Sequence, residues 1–350
     1  FMENRERVQA EHITKIFGDQ PEKAVPYIEK EYPKQEIFRE TGQLVALRDV
    51  SFSVNEGEIF VIMGLSGSGK STLLRCINRL HDPTYGNIII EGTDITSLST
   101  SDLRTFRRNT LGMVFQNFAL FPNRTVLDNV TFGLEIQGVN KQHREATGKQ
   151  VLETVGLEDY AYKKTSQLSG GMQQRVGLAR ALAIDPDILL MDEPFSALDP
   201  LIRSGLQDEL LRLHGQMSKT ILFVTHDLNE AVRVGDRIAI VNQEGQISQI
   251  APPEEILLHP ADDYVARFLK DVDRPSVVRL ETIMKQPEFT YIQEVESAVR
   301  MLKDYNKSYV IVLDETDVPI AVVDDHNRIV GEVSRSDVVE ILNANQGSYE

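Results

Sequence analysis

An α/β domain built on a largely parallel sheet, followed by a smaller α+β unit, is the fold class that this 350-residue sequence predicts. Three observations carry that expectation. A glycine-rich loop, G-L-S-G-S-G-K-S at 64–71, sits between a short apolar, β-rich run (58–63) and a segment of helical apolar spacing (71–80). Further on, apolar strands at 188–191, 221–225 and 238–241 alternate with helix-like segments, the pattern of parallel strands joined by crossovers. Beyond about residue 273 the composition changes. Residues 271–350 hold sixteen Asp/Glu against eight Lys/Arg, so a stretch of under a quarter of the length carries half of the net charge of −16, as a separate module would.

Taken in order, residues 8–17 read as an edge strand and 45–54 alternate as a second strand. Between them, 19–43 hold two short, charged, helix-like pieces where a hairpin needs only a few residues, so this segment is an insertion. After the helix of 71–80, residues 87–95 suggest a strand pair, 100–108 a basic helix and 125–165 a mostly helical stretch, with a helical subdomain at about 117–180. The helix that opens at 168–172 ends at Asp185-Pro186. A closing helix begins at 252–260 and runs to about 270, which sets the expected domains at 1–272 and 273–350. The second unit reads as a helix (295–305), strands at 308–313 and 319–324, a turn at 325–327, a strand at 328–333 and a helix at 335–343.

Length and composition exclude several classes. No apolar stretch approaches the roughly 18–20 residues of a membrane span, and the first residues, F-M-E-N-R-E-R, have no apolar run of the secretion-signal kind. The one cysteine, Cys76, cannot form an internal disulfide and is expected as a small buried filler. A cytosolic protein is the expectation. The net charge of −16 argues against a nucleic-acid partner, whose phosphates would need a broad basic face.

The loop at 64–71 is a phosphate cradle. Its glycines let the backbone turn tightly and aim N–H groups at phosphate oxygens, Lys70 supplies a point charge for the terminal phosphates, and Ser71 offers a hydroxyl to Mg²⁺. Asp192 and Glu193 close the strand I-L-L-M, and ligands of open α/β sheets bind beyond such carboxyl ends. Asp192 suits coordination around Mg²⁺, and Glu193 suits orientation and deprotonation of an attacking water. At 168–172, L-S-G-G-M starts a second helix. Ser169 falls where an N-cap belongs, and Gly170 and Gly171 leave bare N–H groups at the positive end of the helix. One nucleotide does not need two cradles, and one explanation is that the second serves the nucleotide of a partner subunit.

With these motifs in order, residues 8–270 resemble the ATP-binding cassette (ABC) family: the P-loop at 64–72, a glutamine at Gln116 in V-F-Q-N-F, the signature at 168–172, the acidic strand end at 188–193, S-A-L-D at 196–199 and a histidine at His226 in V-T-H-D. The resemblance implies an ABC-type domain with a mixed sheet core and a helical subdomain, hydrolysing ATP with Mg²⁺. It implies a head-to-tail dimer in which ATP lies between the P-loop of one copy (Gly64, Ser66, Gly67, Ser68, Gly69, Lys70, Ser71, Thr72) and Ser169, Gly170, Gly171 and Gln173 of the other. In that picture Gln116 contacts Mg²⁺ and the attacking water, His226 holds the γ-phosphate and Glu193, and Asp199 works across the interface. An aromatic ring stacks on adenine in the family. Phe17 fits by position, and Tyr27 or Tyr32 of the insertion are the alternatives.

Outside the shared motifs, the insertion (A-V-P-Y-I-E-K), the run I-L-L-M-D-E-P-F-S-A-L-D-P-L-I-R (188–203) and G-D-R-I-A-I-V resemble the ATPase subunit of quaternary-amine importers of the glycine betaine/proline betaine kind. That resemblance implies uptake of a compatible solute through separate transmembrane permease subunits, either alone or fused to a substrate-binding domain, with this chain on the cytoplasmic face of the membrane. F-A-L-F-P-N-R-T-V-L-D-N-V after Gln116 is the stretch that would dock the permease. Choline, carnitine or proline would be alternative solutes, and a soluble non-transport ABC ATPase is the reading from another class. A-V-V-D-D-H-N-R-I-V-G-E-V-S-R-S-D-V-V (321–339) is similar to the second half of a CBS repeat, which implies a regulatory module sensing ionic strength or binding an adenine or cyclic dinucleotide, with Ser334 and Asp337 as candidate contacts. About eighty residues is short for the usual tandem pair. Either one repeat carries an extra strand, or the start of one repeat joins the end of another.

Overall fold

A computed structural model describes residues 5–269 apart from Asn117, Ala197, Asp199 and Ser218, together with the strand segments 310–311, 320–323 and 329–333. Contacts divide the chain into two units, Phe1–Pro252 and Pro253–Glu350, so the division falls ahead of the compositional break at 272–273.

In the first unit two sheets face each other across one core. The antiparallel sheet contains β1 (Glu6–Phe17), β2 (Leu44–Asn55), β4 (Tyr85–Ile90) and β5 (Thr93–Asp94), in the order β2-β1-β4-β5. β1 is therefore interior, where an edge strand was expected. Its polar residues line the solvated face of an antiparallel sheet, and a one-sided alternation marks a wet face rather than an edge.

The second sheet contains β3 (Ile59–Met63), β6 (Leu111–Val114), β7 (Ile188–Asp192), β8 (Thr220–Thr225), β9 (Arg237–Val241) and β10 (Ile247–Ala251), in the order β10-β9-β3-β8-β7-β6. All neighbours pair in parallel except β10 with β9. β3, β7 and β8 are buried along their whole length, which is why they read as unbroken apolar runs. The sequence did not announce β6 or β10. L-G-M-V is short and glycine-bearing, and I-S-Q-I-A is only half apolar.

Helix α3 (Lys70–Ile77) buries Leu73, Leu74 and Ile77 in the same apolar core as Val8, Val54, Phe60 and Ile88. Cys76 is buried there as expected, and burial pushes its thiol up to about 12. The insertion forms α1 (Val25–Glu29) and α2 (Lys34–Thr41), seated on a small core of Ile16, Ala24, Ile37 and Val45. It leaves β1 at Phe17 and rejoins β2 at Leu44, which are register partners. Arg48 donates to the carbonyls of Ile28 and Tyr32, and Lys34 Nζ donates to Ala46 O at 2.7 Å.

The basic helix is α4 (Thr100–Thr110). A separate apolar core joins α5 (Val126–Val130), α7 (Lys141–Thr154) and α8 (Gly170–Leu182), with α6 (Phe132–Ile136) beside them. This is the expected helical subdomain. Helices α9 (Pro200–Met217) and α10 (Leu228–Val234) complete the first unit.

The second unit includes α11 (Pro253–Leu258) and α12 (Asp263–Phe268), two short helices where one continuous helix was expected. Its strands β11 (Val310–Ile311), β12 (Ile320–Val323) and β13 (Ile329–Val333) pair antiparallel in chain order. The helices expected at 295–305 and 335–343 lie outside the described residues.

Candidate nucleotide-binding site

Four parallel strands deliver the predicted residues to one edge. The P-loop follows β3, Gln116 follows β6, Asp192 and Glu193 end β7, and His226 follows β8. Parallel pairing puts all four carboxyl ends on the same side of the sheet, so residues far apart in sequence share one rim.

The loop is held from behind by backbone. A Cβ on Gly64 would run into the carbonyl oxygen of Val241, and one on Gly69, whose φ is +109°, would lie 2.6 Å from Ala46 O. Gly69 occupies the N-cap of α3, leaving the first N–H groups of the helix for an anion. Ser66 and Gly67 are exposed on the crest, and Ser71 and Thr72 are half-buried on the first turn of the helix. Ser68 is buried, and its Oγ has no hydrogen-bond partner. Lys70 is 4% exposed, with Nζ donating to Leu65 O at 3.0 Å. Burial lowers its pKa, while the carboxylates of Glu193 and Asp192 act to raise it.

Asp192 is 1% exposed. Its Oδ2 accepts from Arg75 at 3.3 Å, and its Oδ1 is buried without a partner. Next to it, Glu193 Oε2 receives Gln116 Nε2 at 3.3 Å and faces His226 Nδ1 at 3.1 Å. Three strand ends thus meet on one carboxylate oxygen. Glu193 has φ +45°, in the left-handed region, and its N–H donates to Val224 O at 3.0 Å. A carboxylate fixed in this way beside a phosphate cradle can orient a water and take its proton. The unpartnered Asp192 Oδ1 and the Ser71 hydroxyl suit a hydrated divalent cation, and hard cations of this kind take oxygen ligands.

The signature segment belongs to the helical subdomain. Ser169 N-caps α8, its side chain accepting from Met172 N–H at 3.4 Å, and Gly170 is exposed beside it while Gly171 is buried. Gln173 turns back, its Nε2 donating to the carbonyls of Thr165 (3.1 Å) and Leu168 (3.3 Å), which leaves Oε1 as its other polar atom. Among the described residues, no hydrogen bond joins Ser169–Gly171 to the P-loop of the same chain.

Phe17 is half-buried at the end of β1, edge-on to His81 at 5.4 Å and with Lys15 Nζ 4.8 Å from its ring centre. Tyr27 and Tyr32 pack edge to face at 5.4 Å, and Tyr27 leans on the insertion's own core. Asp199, Ser334 and Asp337 lie outside the described residues.

Two arginines went unnoticed in the sequence. Arg75 holds Asp192, and Arg180 donates to the carbonyls of Phe118 (2.7 Å) and Ala119 (2.6 Å), pinning the turn after Gln116 where both residues have positive φ. Each contact spans a long sequence distance, and no local motif announces either one.

The family model described as "ABC transporter" matches residues 47–196. The glycine betaine transport ATP-binding protein OpuAA of Bacillus subtilis is 52% identical over 310 residues, covering 88% of this chain and 74% of that protein. This chain is an ABC transporter ATP-binding protein of the glycine betaine importer family. The glycine betaine/carnitine transport ATP-binding protein GbuA of Listeria monocytogenes is 48% identical over 346 residues, covering 98% of this ABC protein and 84% of its own length. Among solved structures, the dimeric post-hydrolysis state of the ATP-binding cassette MJ0796 bound to ADP and Pi matches with a TM-score of 0.59 and 34% identity. The match covers 70% of this chain and 98% of that one. ABC proteins of this family are ATPases. No helix among the described residues is long and apolar enough to cross a membrane.

Proposed function

We propose that this chain is the ATP-hydrolysing subunit of an importer that takes up glycine betaine or a related compatible solute through separate membrane permease subunits. It would sit on the cytoplasmic face of the membrane, held there by the permease. The convergence of Gln116 and His226 on Glu193 Oε2, beside the P-loop, carries the reading. Two copies would close head to tail, each ATP lying between Gly64–Thr72 of one subunit and Ser169–Gly171 of the partner subunit, with Gln173 and Asp199 adjoining. Phe17 would stack on adenine. Lys70 and the α3 N–H groups would hold the β- and γ-phosphates, Glu193 would take the proton of the attacking water, and His226 and Gln116 would fix that carboxylate and the water. Ser71, Gln116 and Asp192 would hold Mg²⁺, which supplies charge neutralisation on the phosphate oxygens. Catalysis is then positioning plus electrostatics, with little covalent work for the protein.

The turn at 118–124 supports permease docking. Phe121 is 37% exposed, and the Arg124 guanidinium lies 5.3 Å from its ring centre and 4.9 Å from that of Phe132. Carnitine, choline or proline are the competing solutes, and carnitine stands in the name of the Listeria relative. The tail would act as a CBS-type regulator.

Glu193→Gln tests the chemistry. ATP binding and dimer formation should survive while turnover falls by about 10²–10⁴-fold, and near-normal hydrolysis would remove the assigned base. Co-purification with the permease, followed by uptake of labelled betaine, carnitine and choline at low and high salt, tests the solute. No uptake of any of them would sink the importer reading.

A further inference from the structure

Beside the proposed ATP site runs a ring of contacts that closes on the His226–Glu193 pair. Ser196 donates to Glu193 O through its N–H (3.3 Å) and its Oγ (3.1 Å), and Leu198 N–H donates to Phe195 O at 3.2 Å. Arg203, on the first turn of α9, donates from Nη2 to Leu198 O at 3.4 Å and from Nη1 to Asp227 Oδ2 at 3.0 Å. Asp227 in turn caps α10, its Oδ1 accepting from Glu230 N–H at 3.2 Å, and its own N–H donates to Thr225 Oγ1 at 3.0 Å. Both neighbours of His226 are thereby locked, and His226 closes the ring on Glu193 Oε2.

One helical turn on, Gln207 Nε2 donates to Glu230 Oε1 at 3.1 Å, and both residues are buried, so α9 and α10 are already fastened without Arg203. Arg203 is therefore not needed to join them, and its Nε is buried with no hydrogen-bond partner, so the guanidinium keeps a further donor.

We infer that Arg203 is a positioning residue that ties Leu198, at the end of the segment after Glu193, to the histidine loop and so holds His226 in place against Glu193. The inference deepens the proposed reading of the ATP site and rests on it.

The test uses MgATP hydrolysis by the whole chain at 25 °C, with the ATP dissociation constant and the melting curve measured in parallel. Arg203→Gln should lower kcat about tenfold or more, since small misplacements of a catalytic group are costly, while nucleotide affinity stays within about twofold. Arg203→Lys reaches Asp227 but cannot fork to Leu198 O, and should fall between the two. Combined with His226→Ala, Arg203→Gln should add nothing, because both changes act on the same step. Wild-type kcat in Arg203→Gln, or fully additive losses in the double variant, would overturn the inference. If Arg203→Gln does not fold, Asp227→Asn keeps a capping oxygen while losing the ion pair and carries the same expectations. Loss of the fold in both would assign Arg203 a structural role and overturn the inference. Glu193→Gln separates the two levels. Retained turnover there overturns the reading of the site, whereas a dead Glu193→Gln with a normal Arg203→Gln overturns only the coupling.

Discussion

Gly69 shows how little latitude the glycine-rich loop has. At φ +109° an L side chain is strained, and a Cβ would press on Ala46 O, which is backbone and cannot rotate away. Gly69→Ala should cost on the order of 1–3 kcal/mol and remove ATP binding. A melting curve and a nucleotide titration check it, and unchanged affinity would show that the loop tolerates the displacement. Local motifs such as the P-loop, Asp192-Glu193 and Ser169–Gly171 were legible because spacing, glycine and charge act within a few residues of one another. Arg75, Arg180 and the Arg203–Asp227 pair were not, because each reaches a carboxylate or carbonyl that only the fold brings near. The shared Oε2 of Glu193 belongs to the same class. The sequence supplied its three donors and acceptors, but only parallel pairing of β6, β7 and β8 brings them to one atom.

At the scale of elements, the insertion is fastened to the wall behind the P-loop. Lys34 Nζ donates to the same Ala46 carbonyl that backs Gly69, and its backbone N–H donates to Glu244 at 2.8 Å. Burial lowers the Lys34 ammonium to about 8, opposed by Glu244. Between roughly pH 8 and the unfolded value near 10.4 the unfolded chain holds more protons at this site, so stability gains with rising pH across that window. Lys34→Met should flatten that gain relative to the wild type. Melting temperatures at pH 7.5, 9 and 10 read it, and identical slopes would mean that the ammonium is not buried at cost. Helix-like charge spacing announced the two insertion helices, and apolar runs announced β3, β7 and β8. The interior place of β1 was hidden because strand order depends on pairing partners distant in sequence.

For the whole molecule, two compact units divide at Pro252 and Pro253, and residues 271–350 of the second carry half of the net charge of −16. If that tail regulates, a chain ending at residue 273 should keep its ATPase activity and lose or alter its salt response. An unchanged salt profile would refute the regulatory role. Finally, β1 and β2 already meet at Phe17 and Leu44, where the insertion leaves and returns. The excursion therefore begins and ends at one doorway, and the sheet's wiring does not depend on what happens outside it. Replacing 18–43 by a two-residue Asn-Gly link should give a chain that still folds. Its altered grip on nucleotide would then measure what this add-on room contributes to the house it was built onto.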